Sequence, residues 1–180
     1  MDQGKPVIEF EASVTSAASP DVVYGVLADP STHLVWAGEQ ATQSFKLLTL
    51  EAPKGTATVG TRFTSTGGNS KDGSSTFHDE SVVTEATAPS LFGFVTNSQL
   101  VRKHRKPWQV TFVHRYDVQR DGDVTRIGYT CRVYPVNYRP YWLHPVARPL
   151  TRVAVNKMVT KNLANLALMT EKATVRGVVR

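Results

Sequence analysis

The junction between the first strand and the first helix reads VTSAASPDVVYGVLADPSTHLVW, residues 14–36. Ser19 is placed to cap a helix, Pro20 suits the first helical position, and Asp21 complements the positive end of the helix dipole. Pro30 disfavours helical geometry in the residue before it, so the helix should end near Asp29. The pattern therefore predicts a helix over residues 20–28, followed by a second short turn that carries Trp36.

Outward from this junction, the signals on both sides are those of strands. Residues 8–14 alternate apolar and polar side chains, as a half-buried strand does. From the junction to about residue 134, β-branched and aromatic runs are separated by Gly and Pro, which predicts an antiparallel meander. The last two strands are the clearest, and they meet at an Asp-Gly-Asp turn typical of a hairpin. Their alternating residues are Trp108, Val110, Phe112, His114 and Tyr116, then Ile127, Tyr129, Cys131 and Val133.

The C-terminal segment changes from strand period to helix period. Apolar residues recur at the i, i+3, i+4, i+7 spacing of one helical face, while Lys157, Lys161 and Lys172 lie opposite. A long helix should begin between Pro145 and Pro149 and end near Lys172. The predicted stripe consists of Val155, Met158, Val159, Asn162, Leu163, Leu166 and Met169.

This order of elements, together with particular residues, resembles the START-like or SRPBCC superfamily, which includes polyketide cyclases and dehydratases, lipid-transfer domains and pollen-allergen-like carriers. The resemblance rests on the Ser-Pro-Asp-Val-Val opening of the first helix, the Leu-Ala-Asp that closes it, and Trp36. Further support comes from Val59-Gly60-Thr61-Arg62-Phe63, from Glu85 and Pro89 before Leu91-Phe92, and from the final helix with Asn162-Leu163-Ala164-Asn165-Leu166 and Glu171.

The resemblance implies an α+β helix-grip fold, in which a curved antiparallel sheet wraps a long C-terminal helix. It further implies a single domain over residues 1–180, with a core of about 6–172, and a cavity for a lipid, sterol or polyketide-like ligand. The leading interpretation is a binding or transport protein. The alternative is a polyketide cyclase or dehydratase whose cavity histidines act as general acid and base. A fold alone predicts the presence of a ligand cavity better than it predicts which ligand the cavity binds.

The composition narrows the class of protein. One cysteine excludes an internal disulfide, and the histidines lack the spacing of a metal site, so neither a metal nor another cofactor is expected. No residue run is long and apolar enough to span a bilayer, and no signal peptide is recognisable, which favours a cytoplasmic setting. Charge is uneven: residues 1–99 carry 5 Lys and Arg against 11 Asp and Glu, and residues 100–180 carry 16 against 4.

Ligand-binding candidates follow from the two clear strands, the turn and the helix stripe. Arg148 and Arg152 are four residues apart on the face of Val155, where a guanidinium could hold a carboxylate or phosphate. A purely structural role is the alternative for these residues. Trp36 could fill the core, the arginines could extend their charged ends into solvent, and Asn162 could bond a buried backbone group. The candidates are Trp36, Phe112, His114, Tyr116, Tyr129, Arg152, Val155, Val159, Asn162 and Leu166.

Catalytic candidates are fewer. His78-Asp79-Glu80 is the cluster that invites an acid–base interpretation, and His114 with Tyr116 could join it across the sheet. Strand alternation places His78 on the face opposite Asp79. Satisfied core or rim histidines are the competing explanation, and Cys131 is expected to be an inert core thiol.

A basic loop precedes Pro107-Trp108. Arg102, Lys103, Arg105 and Lys106 concentrate positive charge there, which suits peripheral contact with an anionic membrane. Nucleic acid is a less suitable partner because no RNA-binding motif accompanies the charge. A charged loop that serves solubility is the alternative, and the sequence leaves the oligomeric state open.

Overall fold

The computed structural model describes residues 5–38, 46–68, 75–102, 106–137 and 144–178. Within these residues, a first strand and a short helix are followed by two turns, six further strands and a long helix, and this is the order of element types that the sequence predicts. The elements are β1 (Ile8–Ser16), α1 (Pro20–Leu27), a 3-10 turn (Pro30–Thr32), a π-type turn (Leu34–Gly38), β2 (Lys46–Glu51), β3 (Arg62–Gly68), β4 (Ser75–Thr87), β5 (Leu91–Arg102), β6 (Trp108–Asp121), β7 (Val124–Pro135) and α2 (Arg148–Val178).

The seven strands form one antiparallel sheet in the order β1-β7-β6-β5-β4-β3-β2. Strands β2 to β7 make a meander, and β1 pairs with β7, so the chain's first strand closes one side. The hairpin between β6 and β7 turns at Gly122 and Asp123, where Gly122 has a φ of +58° that favours glycine. The predicted meander and hairpin are confirmed.

Local sequence explains the first helix. The Ser19 hydroxyl accepts a hydrogen bond from the Val22 amide, and Pro20 occupies the first turn. Buried Thr125 on β7 donates to the Ala18 carbonyl at 2.6 Å and fastens the start of α1 to the sheet. Asn165 of α2 donates to the Trp36 carbonyl at 3.2 Å, which fixes the turn that carries the tryptophan.

Helix α2 runs alongside β1. Near its start, Arg152 Nε donates to the Glu9 carbonyl at 3.0 Å, and near its other end Thr170 lies 3.0 Å from the Ser16 hydroxyl. The register of the sheet places the start of β1, the end of β5 and the starts of β4 and β6 at one end. We call this the open end of the fold, and it is where α2 begins.

Two details of the C-terminal region complete the description. Helix α2 starts at Arg148, within the predicted interval, but continues to Val178 instead of ending near Lys172. Residues 173–176 include neither proline nor glycine, so nothing local stops the helix before Gly177. Within the described residues, no helix is long and apolar enough to cross a membrane.

A cavity between the sheet and helix α2

A cavity of about 580 Å³ lies between the concave face of the sheet and α2. Its wall is mostly aromatic and aliphatic. Strands β1 and β3 to β7 contribute Phe10, Phe63, Ser65, Phe77, Asp79, Ser81, Phe94, Thr96, Ser98, Leu100, Arg102, Trp108, Phe112, His114, Tyr116, Tyr129 and Cys131; the turns, β2 and α2 add His33, Trp36, Ala37, Leu47, Leu50, Thr151, Val155, Met158, Val159, Asn162 and Leu163.

The exposure of the lining differs at the open end of the fold, where Leu100 and Trp108 are buried. Tyr116, Tyr129 and Leu163 at the far end are buried, whereas Arg102 is exposed and Thr151 is half-buried. The mouth of the cavity therefore lies where α2 begins and β5 ends. A ligand would enter past Arg102 and reach the aromatic residues at the back.

Stacked aromatic rings make the back wall. The Phe94 ring stacks on the His114 imidazole with centroids 4.5 Å apart, and it meets Phe63 edge to face at 5.3 Å. The ring centroids of Tyr116 and Tyr129 lie 4.7 Å apart. Such contacts restrict the rings, so this part of the cavity keeps its shape.

His114 is the polar centre of that wall. Its Nδ1 lies 2.8 Å from the Tyr129 hydroxyl, and that hydroxyl also hydrogen-bonds with the Cys131 side chain. Burial lowers the pKa of His114 to about 3 and raises the pKa of Cys131 to about 12, and burial also raises the pKa of Tyr129. At neutral pH the imidazole, phenol and thiol are all uncharged, as their apolar surroundings require.

His33 is a second imidazole on the wall, and it is buried, whereas His114 is half-buried. Its Nε2 is 2.9 Å from the Leu27 carbonyl, so Nε2 carries the proton and donates it to that oxygen. Burial is the main reason why the pKa of His33 falls to about 4. The ring packs edge to face on Trp36 with centroids 4.8 Å apart, and it connects the turn region to the aromatic wall.

Asp79 brings a carboxylate into the same cavity. Ser65 donates to Asp79 Oδ2 at 3.3 Å, and Ser98 also hydrogen-bonds the carboxyl group. Burial outweighs these hydrogen bonds and raises the pKa of Asp79 to about 6. This acid was predicted to lie opposite His78 on its strand, and it is Asp79 that faces inward.

Most of the ligand-binding candidates come together on the wall. Those that line the cavity are Trp36, Phe112, His114, Tyr116, Tyr129, Val155, Val159 and Asn162. Their position agrees with the strand and helix periods from which they were chosen. Their role in binding stays a prediction.

Arg152 and Leu166 do not line the cavity. Arg152 is exposed and donates to the backbone of β1, because the side of the helix stripe that carries it lies over that edge strand. Leu166 is fully buried, but it lies one turn beyond Leu163 and packs in the core near α1. In this structure Arg152 therefore does not line the cavity, where it was predicted to hold an anionic group. Arg148, its companion, is absent from the lining as well.

The catalytic candidates separate into two groups. His114 and Tyr116 lie on the wall, while His78 is exposed on the outer face of β4. The inward residues of β4 are Phe77, Asp79 and Ser81, so the period of two turns His78 away. His78 and His114 therefore cannot act on one ligand.

The basic loop is described only at its two ends. Arg102 stands at the cavity mouth and Lys106 is exposed, whereas Lys103 and Arg105 fall outside the described residues. Exposed apolar side chains share this end of the fold. They are Val136 after β7 and Val146, Leu150 and Val153 around the start of α2.

Sequence reasoning missed His33 and Asp79 as wall residues. The signal for His33 was weak because the residue lies in a turn without a strand or helix period. For Asp79 the signal was present, since it alternates with Phe77 and Ser81, and apolar Phe77 marks the inward face.

Comparison with known proteins agrees with this architecture. Residues 7–170 match the model of the family described as polyketide cyclase / dehydrase and lipid transport. No curated protein sequence gives a significant match. Similar solved structures include a conserved protein of Geobacillus kaustophilus (TM-score 0.63, 11% identity, covering 92% of this chain and 97% of the other) and the Mll3558 protein of Rhizobium loti (0.58, 16%, 88% and 96%). The major latex-like protein 151 of Panax ginseng is also similar (0.55, 9%, 91% and 97%).

Proposed function

This chain belongs to the polyketide cyclase/dehydrase and lipid transport family, and we propose that it binds a small, largely apolar molecule in the cavity beneath α2. The observation that carries the proposal is the cavity itself, about 580 Å³ with a mainly aromatic and aliphatic wall. This volume falls within the range of roughly 300–1,000 Å³ typical of small-molecule sites. A lipid, sterol or polyketide-like body has a matching size and polarity.

Burial of apolar ligand surface supplies the free energy of binding. At roughly 25 cal/mol per Å² of buried apolar area, a body of lipid or sterol size gains several kcal/mol before ordering costs are subtracted. The stacked rings around Phe94 reduce those costs, since the wall is already arranged before a ligand arrives.

The test uses 1,6-diphenylhexatriene, an uncharged hydrocarbon that fluoresces when it leaves water. Val159→Trp places a large side chain in the cavity, and Val153→Trp places the same side chain on the exposed face of the same helix. We expect at least tenfold weaker probe binding in the first variant and unchanged binding in the second. Equal binding to both would place the probe elsewhere and remove the support for the cavity. Circular dichroism checks that both variants fold.

A catalytic role is the second candidate, and the His114–Tyr129 hydrogen bond favours it. The pair could move a proton during ring closure of a poly-β-ketone, followed by loss of water. With its pKa lowered to about 3, however, the imidazole is a poor proton acceptor at neutral pH, which favours binding over catalysis. Incubation with a synthetic poly-β-ketone, followed by mass spectrometry, tests this role. Loss of product formation in Tyr129→Phe with hydrocarbon binding retained would support it.

Contact with an anionic membrane fits the cavity mouth. Arg102 and the exposed side chains of Leu150 and Val153 share the open end with the mouth, and each basic residue near such a surface contributes about 1 kcal/mol. We expect co-sedimentation with phosphatidylglycerol vesicles to fall in Leu150→Asp. Val175→Asp, which changes an exposed valine near the other end of α2, serves as the control. Equal loss in both variants would contradict this docking surface.

A further inference from the structure

A patch of hydroxyl and carboxyl groups interrupts the apolar wall of the cavity on three neighbouring strands. In the register of the sheet, Ser65, Asp79 and Ser98 lie side by side, and Ser81 and Thr96 form the next row. All five line the cavity. Four of them are buried, and Asp79 is half-buried with its Oδ1 atom buried.

A count of hydrogen bonds shows which group of the patch is incomplete. The Ser81 and Thr96 hydroxyls lie 2.8 Å apart and satisfy each other. Ser65 donates to Asp79 Oδ2. Asp79 Oδ1 is buried, and among the described residues it has no hydrogen-bond partner.

A second incomplete acceptor faces the same space from the helix. Asn162 lines the cavity on α2, and its Oδ1 is buried without a partner among the described residues. An unsatisfied buried polar group costs about 1–3 kcal/mol. Solvent that enters the cavity can hydrate these oxygens, but a ligand that displaces the solvent must itself supply a donor.

We propose that Asp79 determines the specificity of the cavity by accepting a hydrogen bond from an alcoholic or phenolic hydroxyl of a largely apolar ligand, with Asn162 as a second polar contact. The proposal rests on the binding function proposed above. It adds the chemical class of the ligand: a hydroxylated molecule binds, and its donor-free counterpart is rejected because it leaves a desolvated carboxylate unpaired.

A hydroxyl fits this site better than an ammonium group. Ser65 already donates to Asp79 Oδ2, so Oδ1 is the oxygen without a partner among the described residues, and a single hydroxyl donor can satisfy it. An ammonium group has three donors and a full charge. Aromatic rings and methyl groups form most of the remaining wall, so the other donors would be desolvated at a large cost.

The experiment compares 2-naphthol with 2-methoxynaphthalene, which differ in the hydroxyl donor, by displacement of 1,6-diphenylhexatriene. In the unmodified protein we expect 2-naphthol to bind about tenfold more tightly, equivalent to about 1.4 kcal/mol. In Asp79→Leu the preference should vanish, since 2-naphthol loses its partner and the ether no longer buries a carboxylate. Asp79→Asn keeps the shape of the side chain and should reduce the preference several-fold.

Glu80→Gln is the matched control, because Glu80 is exposed on the outer face of the same strand. Its preference should equal that of the unmodified protein. An unchanged preference in Asp79→Leu or Asp79→Asn, or equal affinity for the two probes in the unmodified protein, would overturn the assignment of Asp79. Absence of hydrocarbon binding in the unmodified protein would instead refute the binding function itself, so the two failures are distinguishable.

Discussion

Acidification should destabilise this protein through His114. The imidazole is half-buried on the cavity wall, where it stacks on Phe94, and desolvation lowers its pKa from the ordinary 6.5 to about 3. A depressed folded-state pKa means that the unfolded chain binds a proton first, so the stabilisation is present above pH 6.5 and is lost as the pH falls toward 3. At pH 4, about 2.5 units below the ordinary pKa, the loss is about 3 kcal/mol at 1.36 kcal/mol per unit.

Two other cavity groups titrate in the same window. His33, with a pKa of about 4, loses stability in the same direction as His114. Asp79 acts in the opposite direction, because its raised pKa favours the folded state as the pH falls from 6 to 3.8. The measured quantity is therefore the difference in unfolding free energy between the unmodified protein and His114→Gln, which subtracts the separate contributions of His33 and Asp79 but keeps the Coulombic coupling between His33 and His114.

Urea unfolding followed by tryptophan fluorescence at pH 8 and pH 4 measures that difference. Glutamine keeps a hydrogen-bonding group near Tyr129 but does not titrate. We expect the unmodified protein to lose about 3 kcal/mol more than His114→Gln between the two pH values. His78→Gln serves as a control for folding, because it replaces an exposed histidine on the outer face of β4. If His114→Gln and the unmodified protein lost equal stability, the imidazole would not be held neutral by burial.

Three further outcomes are expected in urea unfolding. Leu163→Ala should cost about 2–5 kcal/mol because this side chain is fully buried, whereas Leu168→Ala on the exposed face should cost little; equal costs would contradict the orientation of α2. Arg115→Ala should cost no more than about 1 kcal/mol, since its ion pairs with carboxylates are partly exposed; a loss of several kcal/mol would contradict this. Asp79→Asn should raise the unfolding free energy at pH 8 by up to about 3 kcal/mol, because it removes a carboxylate whose charged form is disfavoured by burial. By pH 3 this gain should be absent. A lower unfolding free energy at pH 8 would contradict the unfavourable burial of the carboxylate.

The fold was predictable because its strongest signals are periodic. The alternation from Trp108 to Tyr116 and the stripe from Val155 to Leu163 each identify an inward face. In the structure both faces line the cavity. The capping residue Ser19 and the proline that follows it explain the start of α1. Capping residues and hydrophobic period were sufficient to predict these elements, because the tertiary contacts of each segment stabilise the structure that its own sequence favours.

Predictions of site residues were wrong where the hydrophobic period of a segment does not specify which other element its side chains contact. The apolar stripe of a helix predicts which side faces inward, but it does not predict which strand each residue of the stripe contacts. The structure places Arg152 on β1 instead of in the cavity. Alternation separates His78 from Asp79 without stating which of them faces inward. A register shift between Val83 and Glu85 further interrupts the parity of β4 with respect to β5.

The sheet register also orders the polar and apolar parts of a ligand. Along β5, Phe94 belongs to the back wall, Ser98 pairs with Asp79, and Arg102 stands at the mouth. Four residues separate Phe94 from Ser98, which corresponds to about 13 Å along the strand. If the proposed binding function is correct, a ligand whose hydroxyl bonds Asp79 extends its apolar body along β5 toward Phe94. Phe94 offers a ligand hydroxyl no hydrogen-bond partner, whereas Asp79 Oδ1 is an acceptor without one among the described residues, so the order of these rows favours this orientation.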